Sequence, residues 1–255
     1  MNKPGFQHSV SLAIGQCAYT PDDISLDFLI EDDRPYAGIL FLAFGIHSIS
    51  SRQLDTLEIN LGIVGPHSYV EQLQTFIHRL LNAPLPEGWH NQLKDELALQ
   101  AVYERKWKLI QPRLEKGFGF DLIPHFGGGL GNIYIYASTG MQMRFGWNLP
   151  ADFGTKIIRP GGDSSLSIRR SGKFGVHLFA AADGKVLLRD IFLDGNTFQD
   201  SHRVDKRPFT MDISLGIGMR VGRFNLSYAH VFWTKRFKTE KKEHVFASLN
   251  LSYSY

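Results

Sequence analysis

The sequence predicts an all-β protein, a transmembrane antiparallel β-barrel, and three observations carry that reading. From Phe209 to Val221 every odd residue is apolar (Phe209, Met211, Ile213, Leu215, Ile217, Met219, Val221), with Thr210, Asp212, Ser214, Gly216, Gly218 and Arg220 between them. A strand turns alternate side chains to opposite faces, so this stretch has one oily face and one small, polar face. It is longer than the roughly 9–11 residues with which a tilted strand crosses a bilayer. Second, no apolar run reaches the ~18 residues of a membrane-spanning helix, which leaves water or a closed barrel as the setting. Third, 43% hydrophobic residues, 13% aromatics and 25 glycines suit strands and turns and argue against disorder.

The same two-residue rhythm recurs along the chain. Val10, Leu12 and Ile14 interleave with Ser9, Ser11 and Ala13; Leu57, Ile59, Leu61 and Ile63 interleave with Glu58, Asn60 and Gly62. Ile133 to Trp147 alternates throughout, as do Phe224 to Ala229 and the closing run from Val245 to Tyr255. About ten strands are expected, over 8–19, 36–48, 54–64, 97–111, 118–129, 133–147, 174–190, 208–221, 223–237 and 244–255. The strand at 36–48 is apolar on both faces. Residues 1–255 are read as one barrel domain, since barrels of this length are routinely single units.

One insertion, 66–96, breaks the pattern. From His67 to Leu81 the spacing is helical: Val70, Leu73, Phe76 or Ile77, and Leu80 form an apolar stripe, opposite Glu71, Gln74, Thr75 and His78. Pro66 opens this helix, and Asn82, Pro84 and Pro86 end it. A second short helix is expected from His90 to Leu97. Long loops that carry their own structure tend to be functional.

Two barrel types compete. A soluble barrel that binds an apolar ligand keeps its oily face inside and needs Lys and Glu outside. Here the polar faces are mostly Ser, Gly, Asn and Ala, which suit a narrow lumen, and Trp147, Phe209, Tyr253 and Tyr255 sit near strand ends as an aromatic girdle would. The membrane barrel is the better reading. With a periplasmic C-terminus, loops 20–35, 65–96, 191–207 and 238–243 fall outside, and 49–53 and 112–117 are short inner turns. The segment 148–173 is too long for an inner turn and does not fit.

A net charge of +3, from 28 basic and 25 acidic residues, is too balanced to imply nucleic acid as a partner. Cys17 stands alone and reads as a small strand residue. Met1 to Phe6 carries neither an apolar signal core nor a cleavage site, so for an exported barrel the expectation is a start further upstream.

Candidate chemistry is sparse. Gln74 and His78 are four residues apart on the polar helix face, one above the other, where a His can act as general base and a Gln can orient it. Asp22, Asp23, Asp27, Glu31, Asp32 and Asp33 could bind a divalent cation or could simply be a solvated acidic loop. Lys235, Arg236, Lys238, Lys241 and Lys242 cluster about the last outer loop, as candidate contacts to substrate phosphates or as solvated charge. The remaining histidines have no metal-ligand spacing, and there is no nucleophile elbow, phosphate loop or zinc motif.

Several motifs resemble the lipid A 3'-O-deacylase family (LpxR) of Gram-negative outer membranes. They are Tyr19-Thr20-Pro21, Asp33-Arg34-Pro35-Tyr36-Ala37-Gly38, Gly62-Ile63-Val64-Gly65-Pro66, Glu71 to Leu81 with Gln74 and His78, and Trp89-His90-Asn91-Gln92. The resemblance implies a twelve-stranded barrel in the cell outer membrane, inserted by the barrel-assembly machinery, that acts on lipid A of lipopolysaccharide. It implies an active site between the barrel wall and the loop helices, with His78 as catalytic general base and Gln74 as its support. A calcium ion would stabilise the oxyanion as the 3'-linked acyloxyacyl ester is cut. The family's Asn-Asp pair and Thr, on its first two strands, have no match here, because Met1 falls just before the family's third strand. The expectation is therefore an N-terminally truncated member whose calcium ligands lie upstream of Met1, and a chain that is by itself not a competent enzyme. The rival reading is a non-catalytic outer-membrane barrel, a pore or structural protein.

Overall fold

The computed structural model describes residues 5–110, 117–155 and 174–253. Ten strands follow one another as an antiparallel meander: β1 (Gln7–Tyr19), β2 (Ala37–Ile49), β3 (Gln53–Val64), β4 (Glu96–Trp107), β5 (Phe118–Gly131), β6 (Tyr134–Trp147), β7 (Phe174–Asp190), β8 (Phe209–Val221), β9 (Phe224–Trp233) and β10 (His244–Tyr253). Each strand pairs only with its neighbours in sequence, so every register is set by a hairpin or one long loop. The sheet curls into a barrel wall. The Tyr19 and Tyr134 hydroxyls meet at 3.0 Å although they stand on β1 and β6, and a buried cluster joins Tyr19, Ile39, Val64, Ala98 and Ile133 across the interior.

The oily faces point outward, as the alternation requires. On β8, Phe209, Met211, Ile213, Leu215, Ile217, Met219 and Val221 are exposed while Thr210, Asp212, Ser214, Gly218 and Arg220 are buried. Val10, Leu12 and Ile14 on β1 and Leu42, Phe44 and Ile46 on β2 are exposed in the same way. In water this much apolar area would cost about 25 cal/mol per Å². Against hydrocarbon it costs nothing, and the wall is built for lipid. Of the expected girdle, Trp147 and Phe209 are exposed at opposite ends of the wall, and Tyr255 lies outside the described residues.

The structure adjusts several boundaries. Strand 97–111 ends at Trp107, and strand 223–237 ends at Trp233, because Thr234 to Lys238 turn back over the mouth. There Arg207 donates its backbone N–H to the Arg236 carbonyl, and Lys238 donates to that of Asp205. The expected helix over His90–Leu97 is only a single 3-10 turn, Trp89–Asn91, and Glu96 already opens β4. A second helical turn, α2 (Ile191–Asp194), was not expected; the Asp190 carboxylate caps it by accepting the Phe192 N–H.

Both ends of the lumen are filled. At the outer mouth Ile191, Phe192 and Leu193 of α2 are fully buried, with Phe192 stacked on Tyr19 at 3.9 Å between ring centres. At the inner mouth the described part of the long 148–173 segment folds into the barrel, which explains why it is no ordinary turn. Phe153 packs against Ile49 and Leu54, the Lys108 ammonium sits 4.8 Å from its ring centre, and Arg144 reaches from β6 to both Asp121 and Asp152. The lumen between carries charge and imidazole beside the expected small polar residues. His125 pairs with Asp183 at 2.7 Å, and His47 bridges Ser11 and Thr56.

Candidate active site on the outer wall

The loop between β3 and β4 carries the candidate residues Gln74 and His78. A 3-10 turn (Pro66–Ser68) leads through Tyr69, in the left-handed region at φ 56°, into helix α1 (Val70–Leu80). That positive φ in a bulky residue costs of order 1–3 kcal/mol and turns the chain sharply onto the barrel. The turn is tied down on both sides. Asp95 accepts the His67 backbone N–H at 2.9 Å and meets its Nδ1 at 2.6 Å, and Gln16 of β1 donates to the Ser68 carbonyl at 2.6 Å.

Gly38 decides where the helix lies. It faces outward on β2, one step above Leu40 and Leu42, and the Ser68 hydroxyl and Val70 side chain lie over it. A Cβ at Gly38 would stand 2.7 Å from the Val70 Cβ, so only glycine lets the helix touch the wall. The helix thus sits on the lipid side of the barrel, against β1 and β2, rather than over its mouth.

Its polar face turns toward the protein. Trp89 is buried between Tyr36 and Val70, with 5.0 Å between the Trp89 and Tyr36 ring centres, and its indole N–H donates to the Gln74 carbonyl oxygen at 2.9 Å. That bond leaves the Gln74 amide nitrogen as the free, donating end. His78 uses Nδ1 to bond the Pro84 carbonyl at 2.5 Å. A carbonyl only accepts, so Nδ1 carries the proton and Nε2 keeps its lone pair. The chain reversal that brings Pro84 back is closed by the Ala83 N–H, which donates to the His78 carbonyl. Gln74 and His78 therefore share one helix face, each held by a partner that fixes which end of it can react.

Two carboxylates of the acidic loop brace the loop itself. Asp33 accepts the backbone N–H groups of Asp22 and Arg34, and Asp23 accepts from the Ser25 backbone and hydroxyl, which hold its carboxyl below the usual range. Among the described residues no three His, Cys, Asp or Glu side chains converge to hold a metal ion. The calcium implied by resemblance thus has no such carboxylate or imidazole cluster among the described residues.

The basic cluster of the last loop is dispersed. Arg236 is buried at the lumen mouth, where it pairs with Asp212 and lies 4.6 Å from the Trp233 ring centre. Lys238 is exposed and paired with Asp205 at 3.0 Å, and Lys235 is half-buried. No hydrogen bond or ion pair among the described residues joins these three to Gln74 or His78. The Trp89–Gln74 and His78–Pro84 contacts escaped sequence reasoning, although the Trp89-His90-Asn91-Gln92 motif already marked the segment.

No curated protein matches the chain. Among solved structures it superimposes on LpxR from Salmonella typhimurium with a TM-score of 0.83 at 17% identity, over 97% of this chain and 84% of that one. At that identity the likeness speaks for the fold alone. The family model described as outer membrane protein LpxR matches residues 2–255, and the chain belongs to this outer-membrane family.

Proposed function

We propose that the protein is an outer-membrane esterase of the lipid A deacylase type, with His78 as general base and Gln74 as its positioning partner. The observation that carries this reading is the His78 imidazole, its proton held on Nδ1 by Pro84 and its Nε2 lone pair free, on the same helix face as a Gln74 held by Trp89.

In the reaction, Nε2 of His78 takes a proton from a water molecule as its oxygen attacks the acyl carbonyl. The tetrahedral intermediate collapses with loss of the sugar alkoxide, which recovers that proton from the imidazolium. The Gln74 amide nitrogen, fixed outward by Trp89, orients the water or the acyl oxygen. Lys235, Arg236 and Lys238 remain proposed contacts to lipid A phosphates. Of these, Lys238 is the one exposed at the surface. A calcium ion, which the resemblance implies, would supply Lewis-acid stabilisation of the oxyanion, and among the described residues no three His, Cys, Asp or Glu side chains converge to hold one.

The rival reading, a pore, meets a lumen packed by Phe192 at one end and Phe153 at the other. The test is mass spectrometry of lipid A from cells expressing the protein, with and without His78→Ala. Loss of the 3'-acyloxyacyl mass is expected with the unaltered protein alone. Identical profiles from the two would refute the assignment.

A further inference from the structure

Helix α1 is amphipathic in the wrong sense for water. Its polar face meets protein, through Gln74 and His78, while the apolar face is bare: Phe76 is 64% exposed, Leu80 71% and Leu81 68%, with Leu73 and Ile77 exposed beside them. Val70 alone of the stripe is buried. A surface helix normally buries such a stripe against a core, and this one has no core to face.

We propose that α1 is an interfacial anchor, and that Leu73, Phe76, Ile77, Leu80 and Leu81 are covered by the acyl chains of outer-leaflet lipid. Continuity with the barrel's lipid belt identifies the occupant. The helix is docked on the outward face of β1 and β2 through Gln16 and Gly38, and Gly38 is followed on that same face by Leu40, Leu42, Phe44 and Ile46. The bare stripe thus extends a surface that already faces hydrocarbon. Phe28 and Leu29 are also exposed, on a neighbouring loop that is pinned to the turn at Trp89–Asn91 by the bond from the Asn91 amide to the Asp27 carbonyl. A helix with its apolar face in lipid and its polar face against Trp89 and Pro84 holds Gln74 and His78 at the membrane border, whatever reaction they perform. The proposal goes beyond the deacylase reading and stands or falls separately from it.

The experiment places a nitrobenzoxadiazole fluorophore on a single cysteine at Phe76, and separately at Leu80, in a Cys17→Ser background. The labelled protein is folded into phospholipid vesicles and checked for the heat-modifiable gel shift of an intact barrel. Lipids brominated along the acyl chain are expected to quench both probes several-fold more strongly than aqueous iodide does. A control probe at Asp200, on an exposed outer loop, is expected to show the reverse order. Iodide access at Phe76 and Leu80 equal to that at Asp200 would overturn the proposal, and Leu80 decides the matter should the Phe76 variant fail to insert. Because no turnover is measured, an inactive enzyme leaves this result untouched.

Discussion

Replacing Arg144 with Met is expected to remove about 3–5 kcal/mol of stability, because the change leaves a carboxylate stranded in the barrel. The Asp121 side chain is 0% exposed and accepts from Arg144 Nε at 3.0 Å and from its terminal nitrogen at 2.5 Å. Asp152, whose side chain is 14% exposed, loses its 2.5 Å partner too, but water reaches it, and its share is about 1 kcal/mol or less. The larger part therefore resides in Asp121. The second variant, Arg144→Met with Asp121→Asn, removes both charges of the pair and is expected to recover about 2 kcal/mol or more of the loss. Guanidinium unfolding of the protein in lipid vesicles, followed by the emission of its 4 tryptophans, measures these two variants and the single variant Asp121→Asn that completes the cycle. A destabilisation below about 1 kcal/mol for Arg144→Met would refute the reasoning, as would additive effects, since a buried pair must couple.

Gly38→Val is expected to lift α1 from the wall and abolish the proposed lipid A deacylation while the barrel still folds, read by activity and heat-modifiability together; full turnover would show that the helix contact is dispensable. Trp89→Phe keeps a ring beside Tyr36 but removes the donor to Gln74, and is expected to lower kcat with little change in KM at a stability cost of about 1 kcal/mol. An unchanged kcat would remove Gln74 from its positioning role. Burial holds the Lys108 ammonium below its usual 10.5. The unfolded chain then binds more protons than the folded one between the depressed value and 10.5, so this group makes stability rise with pH across that window. Lys108→Met is expected to flatten the rise, and an unaltered slope of stability against pH would contradict the burial.

The strand content was legible because alternation is a local property: seven apolar side chains at odd positions from Phe209 to Val221 can share a face only in an extended chain, whatever surrounds them. The same locality made α1 visible, with its Gln74 and His78 on one side and its stripe on the other. Local periodicity says which residues share a face but never what that face meets. Only the register of β1 and β2, and the space left by Gly38, put the polar face of α1 against protein and its oily face outward. The His78 tautomer likewise waits on a carbonyl brought back by the chain reversal, and the Trp89 bond to Gln74 spans 15 residues. The inner plug shows the limit most plainly. Asp121, Arg144 and Asp152 look like scattered charges in sequence, and they become one buried cluster because β5 pairs with β6 in the register that sets Asp121 opposite Arg144. Periodicity gave the wall of this protein, and long-range pairing decided what fills it and what rests against it.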